Sequence, residues 1–395
     1  MKYVILAAAL VIQVCLGGIY AWSKLDTTLQ NTVGMSTTET SIIFGGLFPA
    51  FTVSMVLAGR LLDRLGPRVI AGIGGLLFGA GYLIASFSDG NCPLMLLGIS
   101  VCAGIGTGFG YVCPLTTCIK WFPNKRGLVT GISMAGFGGG AVLLTALSHY
   151  LLSHGVHVLM VFRWVGIAYM LAILVAAMLL RFPTSEIGAR VSPTPAIRTL
   201  LRDPFLLSLV LGMFCGTFAG MFVVSKINDM GLWAGLPKAW AATAVAAFSI
   251  GNAAGRITWG WVSDWTDERM IPVKLITLGV PVGLLAVVNS SMLFVVVSFA
   301  VGFGFGACFV LYAAQVAARY GAARVGGIYP LVFLAYGVAG LVGPASGGWL
   351  YDVTASWLPA IAVSCGIVAT GIIASLMLLK KAKQCRLFYV TEAPT

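Results

Sequence analysis

The sequence predicts an all-α membrane protein in which twelve transmembrane helices form two six-helix repeats. Three features support this fold class: an apolar composition, the number of long apolar runs, and short motifs that recur in the second half of the chain. Of the 395 residues, 59% are hydrophobic and 9% are charged, whereas an ordinary soluble domain has about 25% charged residues. A chain of this length and composition would lack the polar surface that a soluble protein needs. The composition therefore favours residence in a lipid bilayer.

The apolar runs give the positions of the helices, because a membrane-spanning helix needs about 20 mostly apolar residues. Such runs lie at residues 3–23, 41–60, 69–87, 94–118, 127–150, 158–180, 205–225, 239–262, 272–289, 291–317, 326–349 and 356–379. Only the polar step Asn289-Ser290-Ser291 separates the ninth run from the tenth, so this boundary has the weakest support. The first run is too long, and lacks the small-residue cleavage site, to be a removed signal peptide.

The charge distribution predicts the orientation of these helices. The net charge is +12, and most of the basic residues fall on one side of the membrane if both termini are cytoplasmic, as the positive-inside rule requires. This orientation places Lys274 on the cytoplasmic side and leaves Arg256 at membrane depth. We therefore expect a multi-pass protein of a bacterial-type inner (plasma) membrane with cytoplasmic termini. Because topology accounts for the positive charge, we expect no nucleic-acid partner.

Motifs recur at a spacing of about 200 residues, which indicates an internal duplication. The glycine triplet Gly104-x-Gly106-x-Gly108 returns as Gly302-x-Gly304-x-Gly306. The segment 59–68, after the second run, is matched by 260–264 and Arg269 after the eighth. The duplication predicts an N-terminal six-helix bundle at 1–180, a cytoplasmic linker at 181–204, a C-terminal six-helix bundle at 205–379 and a cytoplasmic tail at 380–395.

Arg256 is the candidate functional residue with the clearest signal. Along a helix it would lie about 12 Å from Asp264 and about 27 Å from Lys238, well below either membrane surface. An arginine at this depth is costly unless it faces a polar cavity or a partner. All twelve Asp and Glu map to loops or helix ends, and a guanidinium fits a carboxylate through two parallel hydrogen bonds. We therefore interpret Arg256 as a binding residue for an anionic ligand; an arginine bonded to backbone carbonyls is the alternative.

Asn252 lies one helical turn before Arg256 on the same face. It could bind the same anion, hold the arginine in place or serve only in helix packing.

The nine cysteines include no Cys-x-x-Cys pair, and the sequence lacks zinc-ligand spacing and the nucleophile and nucleotide-loop motifs of enzymes. The sequence therefore predicts neither an enzyme nor a cofactor, and no metal site.

The segment Gly59–Arg68 resembles the signature Gly-x-Leu-x-Asp-Arg-x-Gly-x-Arg of the major facilitator superfamily, which also has two parallel six-helix repeats. The resemblance implies a transporter whose substrate binds near the midplane between two halves that rock against each other. It also implies coupling or gating roles for the charged residues at the cytoplasmic helix ends, which here are Asp63, Arg64, Arg68 and Asp264.

Two further segments are similar to a narrower family, the oxalate/formate antiporters and the related monocarboxylate transporters. They are Trp121–Gly138 and Gly251–Asp264. In this family, the arginine that matches Arg256 binds the substrate carboxylate. The same resemblance implies a cavity wall formed by Tyr20, Phe109, Tyr111, Phe137, Phe309, Phe333 and Tyr336. Lys24 resembles a lysine that ends the first helix of animal monocarboxylate transporters, where it would act as a gate or proton-linked cation; from the residues alone it is an interfacial lysine.

Two departures from the family distinguish between its branches. Phe333 stands where oxalate carriers have a second cation, and one cation with an apolar wall suits one carboxylate with a short alkyl tail. Asn252 stands where animal transporters have an aspartate that takes part in proton coupling, which argues against coupling by that route, whereas the substrate and Lys24 could still share a proton. We therefore expect a monomeric secondary transporter of a small monocarboxylate, such as L-lactate or pyruvate, working by alternating access with a proton as the coupling partner. Two transport alternatives stay open: an organic-anion exchanger of the oxalate/formate type, and a carrier of a neutral solute.

Overall fold

The computed structural model describes residues 1–183 and 197–391, without the side chains of a few residues that include Tyr20, Lys24 and 385–391. The described residues form helices and the turns that join them. The α-helices are α1 (Lys2–Gly17), α2 (Trp22–Val33), α3 (Thr37–Ser86), α4 (Cys92–Met95), α5 (Gly104–Trp121), α6 (Arg126–Ser153), α7 (Val158–Leu179), α8 (Ile197–Leu200), α9 (Pro204–Trp233), α10 (Lys238–Ser263), α11 (Met270–Leu284), α12 (Ser291–Tyr320), α13 (Val325–Thr354) and α14 (Leu358–Thr391).

Several of these helices join into longer passes, and the fold is the predicted all-α membrane fold of twelve helices. A short 3₁₀ segment, Gly18–Ala21, links α1 to α2, and a π-helical segment, Leu96–Ala103, links α4 to α5. Among the described residues, eight helices are long and apolar enough to cross a membrane, and Lys2–Gly17 and Met270–Leu284 are shorter apolar helices. The weakly supported boundary near Asn289 is present, since α11 ends at Leu284 and α12 begins at Ser291.

Helix α3 contains both the second and the third predicted spans. Its N-terminus carries a capping box, in which the backbone N–H of Glu39 donates to Ser36 Oγ and the backbone N–H of Ser36 donates to Glu39 Oε2 at 2.8 Å. The two spans are separated by a kink at Gly66, whose φ of 75° and ψ of 165° are non-helical. Glycine adopts this conformation without the steric cost that a Cβ atom would add, and Pro67 follows it. The turn between the two spans is therefore a single glycine rather than a loop.

The chain forms two compact units. One consists of Met1–Val191 together with Val316–Pro330, and the other of Ser192–Gln315 together with Leu331–Thr395. We refer to them as the N-unit and the C-unit. The linker and tail boundaries proposed from the sequence stay predictions.

Within the N-unit, the first glycine triplet allows α5 to approach two parts of α3. A Cβ atom on Gly108 would collide with the carbonyl oxygen of Phe51, before the kink. A Cβ atom on Gly106 would collide with the backbone N–H of Phe78, after the kink. Small residues at such positions let helix backbones pack closely in a membrane, where no hydrophobic driving force joins the helices.

The second triplet does the same within the C-unit. Gly302 and Gly306 of α12 lie against backbone atoms of α10, at Phe248 and Asn252 respectively. Gly304 lies against α11, where an added Cβ would be 2.8 Å from Leu278 Cα. In each unit the outer glycines therefore face one span and the middle glycine faces another; these spans are the two parts of α3 in the N-unit, and α10 and α11 in the C-unit. This shared packing supports the internal duplication and fixes α10 against α12.

Candidate functional site

Arg256 lies in the interior of the C-unit, with an exposed fraction of 0%. Its Nε donates a hydrogen bond to Asn252 Oδ1 at 3.1 Å, one turn earlier on α10. Its Cζ lies 4.2 Å from the ring centroid of Phe309 on α12. A cation over an aromatic face at this distance is attracted by the ring quadrupole. The amide and the ring therefore hold the guanidinium in one orientation.

The backbone on which Arg256 sits is positioned by glycines on both helices. Gly255 of α10 lies against the carbonyl oxygen of Phe303, and Gly251 lies against that of Phe299. On α12, an added Cβ at Gly306 would lie 2.9 Å from the backbone nitrogen of Arg256. These reciprocal contacts bring the two helix backbones together at the level of the arginine. The position of Arg256 is thus set by the helix crossing as well as by its own side-chain partners.

Three predicted wall residues of the C-unit come together beside Arg256. The ring centroids of Phe309 and Tyr336 are 5.3 Å apart, those of Phe333 and Tyr336 are 5.0 Å apart, and those of Phe309 and Phe333 are 6.2 Å apart. All three side chains are buried. Offset and edge-to-face pairs at these separations are favourable beyond their area of burial. The guanidinium therefore borders an apolar, aromatic cluster, which we call the C-unit aromatic cluster.

The N-unit contains a second aromatic cluster. Tyr111 packs edge to face against Phe137 at 5.1 Å and against Phe51 at 5.3 Å. Gln13, which sequence reasoning did not select, is fully buried and donates from Nε2 to the carbonyl oxygen of Tyr111 at 3.3 Å. Phe109 is also buried, on the same helix as Tyr111. A polar amide in the middle of the first apolar run was the signal by which Gln13 could have been found.

The predicted gating residues lie at the kink of α3 and at the end of α10. Asp63 and Arg64 are exposed just before the kink of α3, and Arg68 is exposed just after it. Asp264, which follows the last residue of α10, is partly exposed. Their coupling or gating roles stay predictions. The side chains of the predicted residues Tyr20 and Lys24 lie outside the described part of the structure.

Lys274 is a buried cation that the sequence did not reveal. We expected it at the cytoplasmic surface, yet its exposed fraction is 0%. Its Nζ donates to the hydroxyl of Tyr312 at 3.2 Å and lies 4.9 Å from the centroid of that ring. Gly212 and Gly216, one turn apart on α9, leave room for the Tyr312 hydroxyl and for Lys274 Nζ. A lysine near the start of an apolar run looks interfacial in sequence, because sequence does not show which neighbours enclose it.

We expect the substitution Lys274→Met to leave the folded C-unit at least as stable as the wild type. Methionine fills the space of the lysine side chain as far as Cε and removes the cost of holding a charge in a low-dielectric interior, which should offset the loss of the bond to Tyr312. Thermal unfolding of the purified protein in detergent would measure the effect. Lys274→Ala is the comparison, since it leaves a cavity and should lower the melting temperature. An equal decrease in both variants would show instead that the bond to Tyr312 outweighs the desolvation cost.

The side chain of Arg256 is able to donate hydrogen bonds to an anion. Arginine offers hydrogen-bond donors in a planar fork and stays protonated in proteins. Among the residues that the structure describes, no group of three His, Cys, Asp or Glu side chains could hold a metal ion. The long apolar helices define the class as a polytopic membrane protein, and a buried guanidinium lies inside its C-unit.

The chain belongs to the Major Facilitator Superfamily, whose family model matches residues 6–238 and 227–386. Among solved structures, it is similar to the major facilitator transporter FucP in its outward conformation. That likeness has a TM-score of 0.72 at 13% sequence identity, and covers 94% of this chain and 98% of FucP. At this identity the comparison supports the fold alone.

Three curated relatives are about a quarter identical to this chain over the residues that align. The uncharacterized MFS-type transporter YhjX of Escherichia coli is 25% identical over 352 residues, which cover 86% of each chain. The oxalate:formate antiporter of Oxalobacter formigenes is 28% identical over 66% of this chain and 63% of its own length. Monocarboxylate transporter 13 of Rattus norvegicus is 27% identical over 80% of this chain and 74% of its own length.

Proposed function

We propose that this chain is a secondary transporter of a small monocarboxylate, with L-lactate and pyruvate as the first candidates, and that Arg256 binds the carboxylate. One observation carries the proposal: a fully buried guanidinium is held in a fixed orientation by Asn252 and Phe309. Placing an arginine in a membrane interior is costly, and binding an anion there repays part of that cost. The names of the relatives, an oxalate:formate antiporter and a monocarboxylate transporter, agree with an organic acid as cargo.

The surroundings of Arg256 favour one carboxylate over two. Phe333, which stands where oxalate carriers have a second cation, is fully buried and packs against Phe309 and Tyr336. An apolar aromatic wall suits a short alkyl tail and would leave a second carboxylate without a partner, which is unfavourable in a buried site. We propose that Phe309, Phe333 and Tyr336 contact this tail. Asn252 is then a positioning residue for the guanidinium, through its bond to Nε.

The proposal also covers the membrane, the coupling and further site residues. We propose a bacterial-type inner membrane, with both termini in the cytoplasm, because that orientation places most basic residues on one side. We also propose alternating access coupled to a proton. The gating roles of Asp63, Arg64, Arg68 and Asp264 belong to the same proposal, as do the N-unit residues Phe109, Tyr111 and Phe137 as wall residues.

The proposal is tested by uptake of labelled L-lactate into proteoliposomes that contain the purified chain, with and without an inward proton gradient. We expect saturable uptake that the gradient stimulates and that unlabelled pyruvate inhibits. The control is liposomes without protein. Inhibition by neutral solutes but not by any carboxylate would contradict the proposal and favour a carrier of neutral solutes.

An organic-anion exchanger is the second candidate, and the relative from Oxalobacter formigenes favours it. The same vesicles distinguish it when they are preloaded with formate or oxalate. If labelled acid enters only preloaded vesicles, whatever the proton gradient, the chain is an exchanger. The anion site at Arg256 would then stand, and the proton coupling would not.

A further inference from the structure

Two of the charged residues that the structure describes are buried, and one of them can give up its proton. They are Arg256 and Lys274, each with an exposed fraction of 0%. A guanidinium stays protonated in proteins, whereas a lysine amine can exist with or without its proton. No Asp or Glu side chain in the described part of the chain is buried. Of these charged side chains, Lys274 is therefore the one that can carry a proton through the interior.

The amine of Lys274 is closely enclosed by two other helices. Its Nζ lies 3.2 Å from the hydroxyl oxygen of Tyr312 on α12 and 4.9 Å from the centroid of that ring. On α9, a Cβ atom added to Gly216 would collide with Nζ, and one added to Gly212 would lie 2.6 Å from the Tyr312 hydroxyl. On this side the amine has less free space than a methyl group needs. A lactate or pyruvate molecule does not fit there, whereas a proton does.

The hydroxyl of Tyr312 can serve the amine in both of its protonation states. A hydroxyl has one O–H donor and two acceptor lone pairs. It accepts a hydrogen bond from the ammonium when Lys274 is charged, and it can donate to the nitrogen lone pair when Lys274 is neutral. Because a buried polar group without a partner is costly, a partner that fits both states lowers the cost of moving between them.

The other titratable groups around this amine are thiols. The Sγ atom of Cys308 on α12 would lie 3.0 Å from the same added Cβ of Gly216, and Cys215 is the residue before that glycine on α9. Helix α14 presents Gly371 to Cys215. A protonated thiol is neutral and does not compensate the charge of an ammonium, and an uncompensated charge in an apolar interior is costly. The surroundings therefore do not lock the proton onto Lys274, as a buried carboxylate would.

The pair also lies close to a polar loop. Lys274 is about one turn, or about 6 Å along the helix axis, from Met270, the first residue of α11. Gln315, which follows Tyr312 by three residues on α12, donates from Nε2 to the carbonyl oxygen of Asp267 at 3.2 Å. Asp267 is exposed. Polar side chains of α12 thus lead from the partner of the amine to a loop that solvent reaches, as a group that exchanges protons requires.

We propose that Lys274, held by Tyr312, is the proton-binding residue of the transport cycle. The amine takes up a proton from one side of the membrane and releases it on the other with each carboxylate that is carried. Only an N–H bond forms and breaks in this step. The inference rests on the proposed function and names the group behind its proton coupling. Arg256 then binds the negative charge of the substrate on α10, and Lys274 carries the coupled proton on α11.

The test separates uptake driven by a proton gradient from exchange in proteoliposomes. Driven uptake requires the carrier to bind and release the proton, whereas exchange of labelled for unlabelled L-lactate at equal pH requires no net proton movement. Lys274→Met should therefore abolish the stimulation by an inward proton gradient and keep exchange near the wild-type rate. A pH indicator in the medium should report proton uptake together with L-lactate in the wild type but not in this variant. The melting temperature shows that the variant is folded.

Three further variants serve as comparisons. Tyr312→Phe keeps the ring and removes the hydroxyl, so it should weaken the stimulation by the gradient while exchange continues. Lys238→Met makes the same chemical change at an exposed lysine of α10 and should behave as the wild type. Lys24→Met tests the proton-linked cation that the family resemblance implies, and we expect it to keep the stimulation.

Undiminished stimulation in Lys274→Met, or loss of stimulation in Lys24→Met alone, would overturn the inference while leaving carboxylate transport intact. Equal loss of driven uptake and exchange in a folded Lys274→Met protein would also overturn it, because the residue would then act in translocation rather than in coupling. If the wild type carries no carboxylate at all, the proposed function fails, and this inference fails with it.

Discussion

Arg256→Gln should lower L-lactate uptake about 100-fold or more, since it would remove the charge-assisted, two-bond contact that we propose between Arg256 and the substrate carboxylate. Glutamine keeps a polar side chain that can donate hydrogen bonds, but it is shorter and removes both the charge and the planar fork. The guanidinium lies fully inside the C-unit and borders the aromatic cluster, so glutamine places a neutral side chain where a charge was buried. The variant should therefore also fold. Initial rates in proteoliposomes measure the loss, and the melting temperature shows whether the protein stays intact.

Two control variants test whether the loss of uptake depends on the guanidinium of Arg256. Arg256→Lys keeps the positive charge but loses the planar fork, and should retain partial activity with a raised KM. Arg269→Gln makes the same chemical change at an arginine whose side chain is 77% exposed and pairs with Asp267 at the surface, so it should leave uptake near the wild-type rate. Wild-type uptake in Arg256→Gln would refute the assignment of the carboxylate to this residue.

Gly306→Ala should disrupt the site without touching any of its side chains. The added methyl group would collide with the carbonyl oxygen of Asn252 and would lie 2.9 Å from the backbone nitrogen of Arg256. Both are backbone atoms, so relief requires α10 and α12 to move apart, and overpacking of this kind costs about 1–3 kcal/mol. A displacement of the arginine by a fraction of an ångström should also reduce transport more than tenfold, since binding depends on orientation.

Gly366→Ala on α14 provides the comparison for this packing effect. Nothing lies within 4 Å of the position that its Cβ would take, so the melting temperature and the uptake rate should stay close to those of the wild type. If both alanine variants behaved alike, the close approach of α10 and α12 would not be what positions Arg256.

The sequence predicted much of the fold, because a membrane restricts the solutions available to the chain. Apolar length gives the spans, and the repeated glycine triplets predict two related halves; both triplets prove to sit at close helix contacts. The kink of α3 at Gly66 was harder to predict from the sequence. Two spans joined by a single non-helical residue, instead of a loop, depend on the backbone conformation around Pro67. The π-helical segment Leu96–Ala103 has no sequence signature that we could have used.

Side-chain partners were the part that sequence reasoning could not supply. Helical spacing placed Asn252 beside Arg256, and the structure shows a hydrogen bond between them. The burial of Lys274 was missed, because its neighbours Gly216 and Tyr312 come from other helices, distant in sequence. Gln13 interrupts an apolar run and could have been noticed, but its acceptor belongs to α5 and could not be predicted from α1 alone. Periodicity within one helix reveals contacts along that helix, whereas contacts between helices depend on how the bundle packs.

The most direct test of the central claim is a comparison of L-lactate with its neutral methyl ester by binding calorimetry on purified protein. If Arg256 binds the carboxylate, the wild type should bind L-lactate and not the ester, and Arg256→Gln should bind neither. Equal affinity of the wild type for the acid and the ester, or unchanged affinity of Arg256→Gln for L-lactate, would contradict the account.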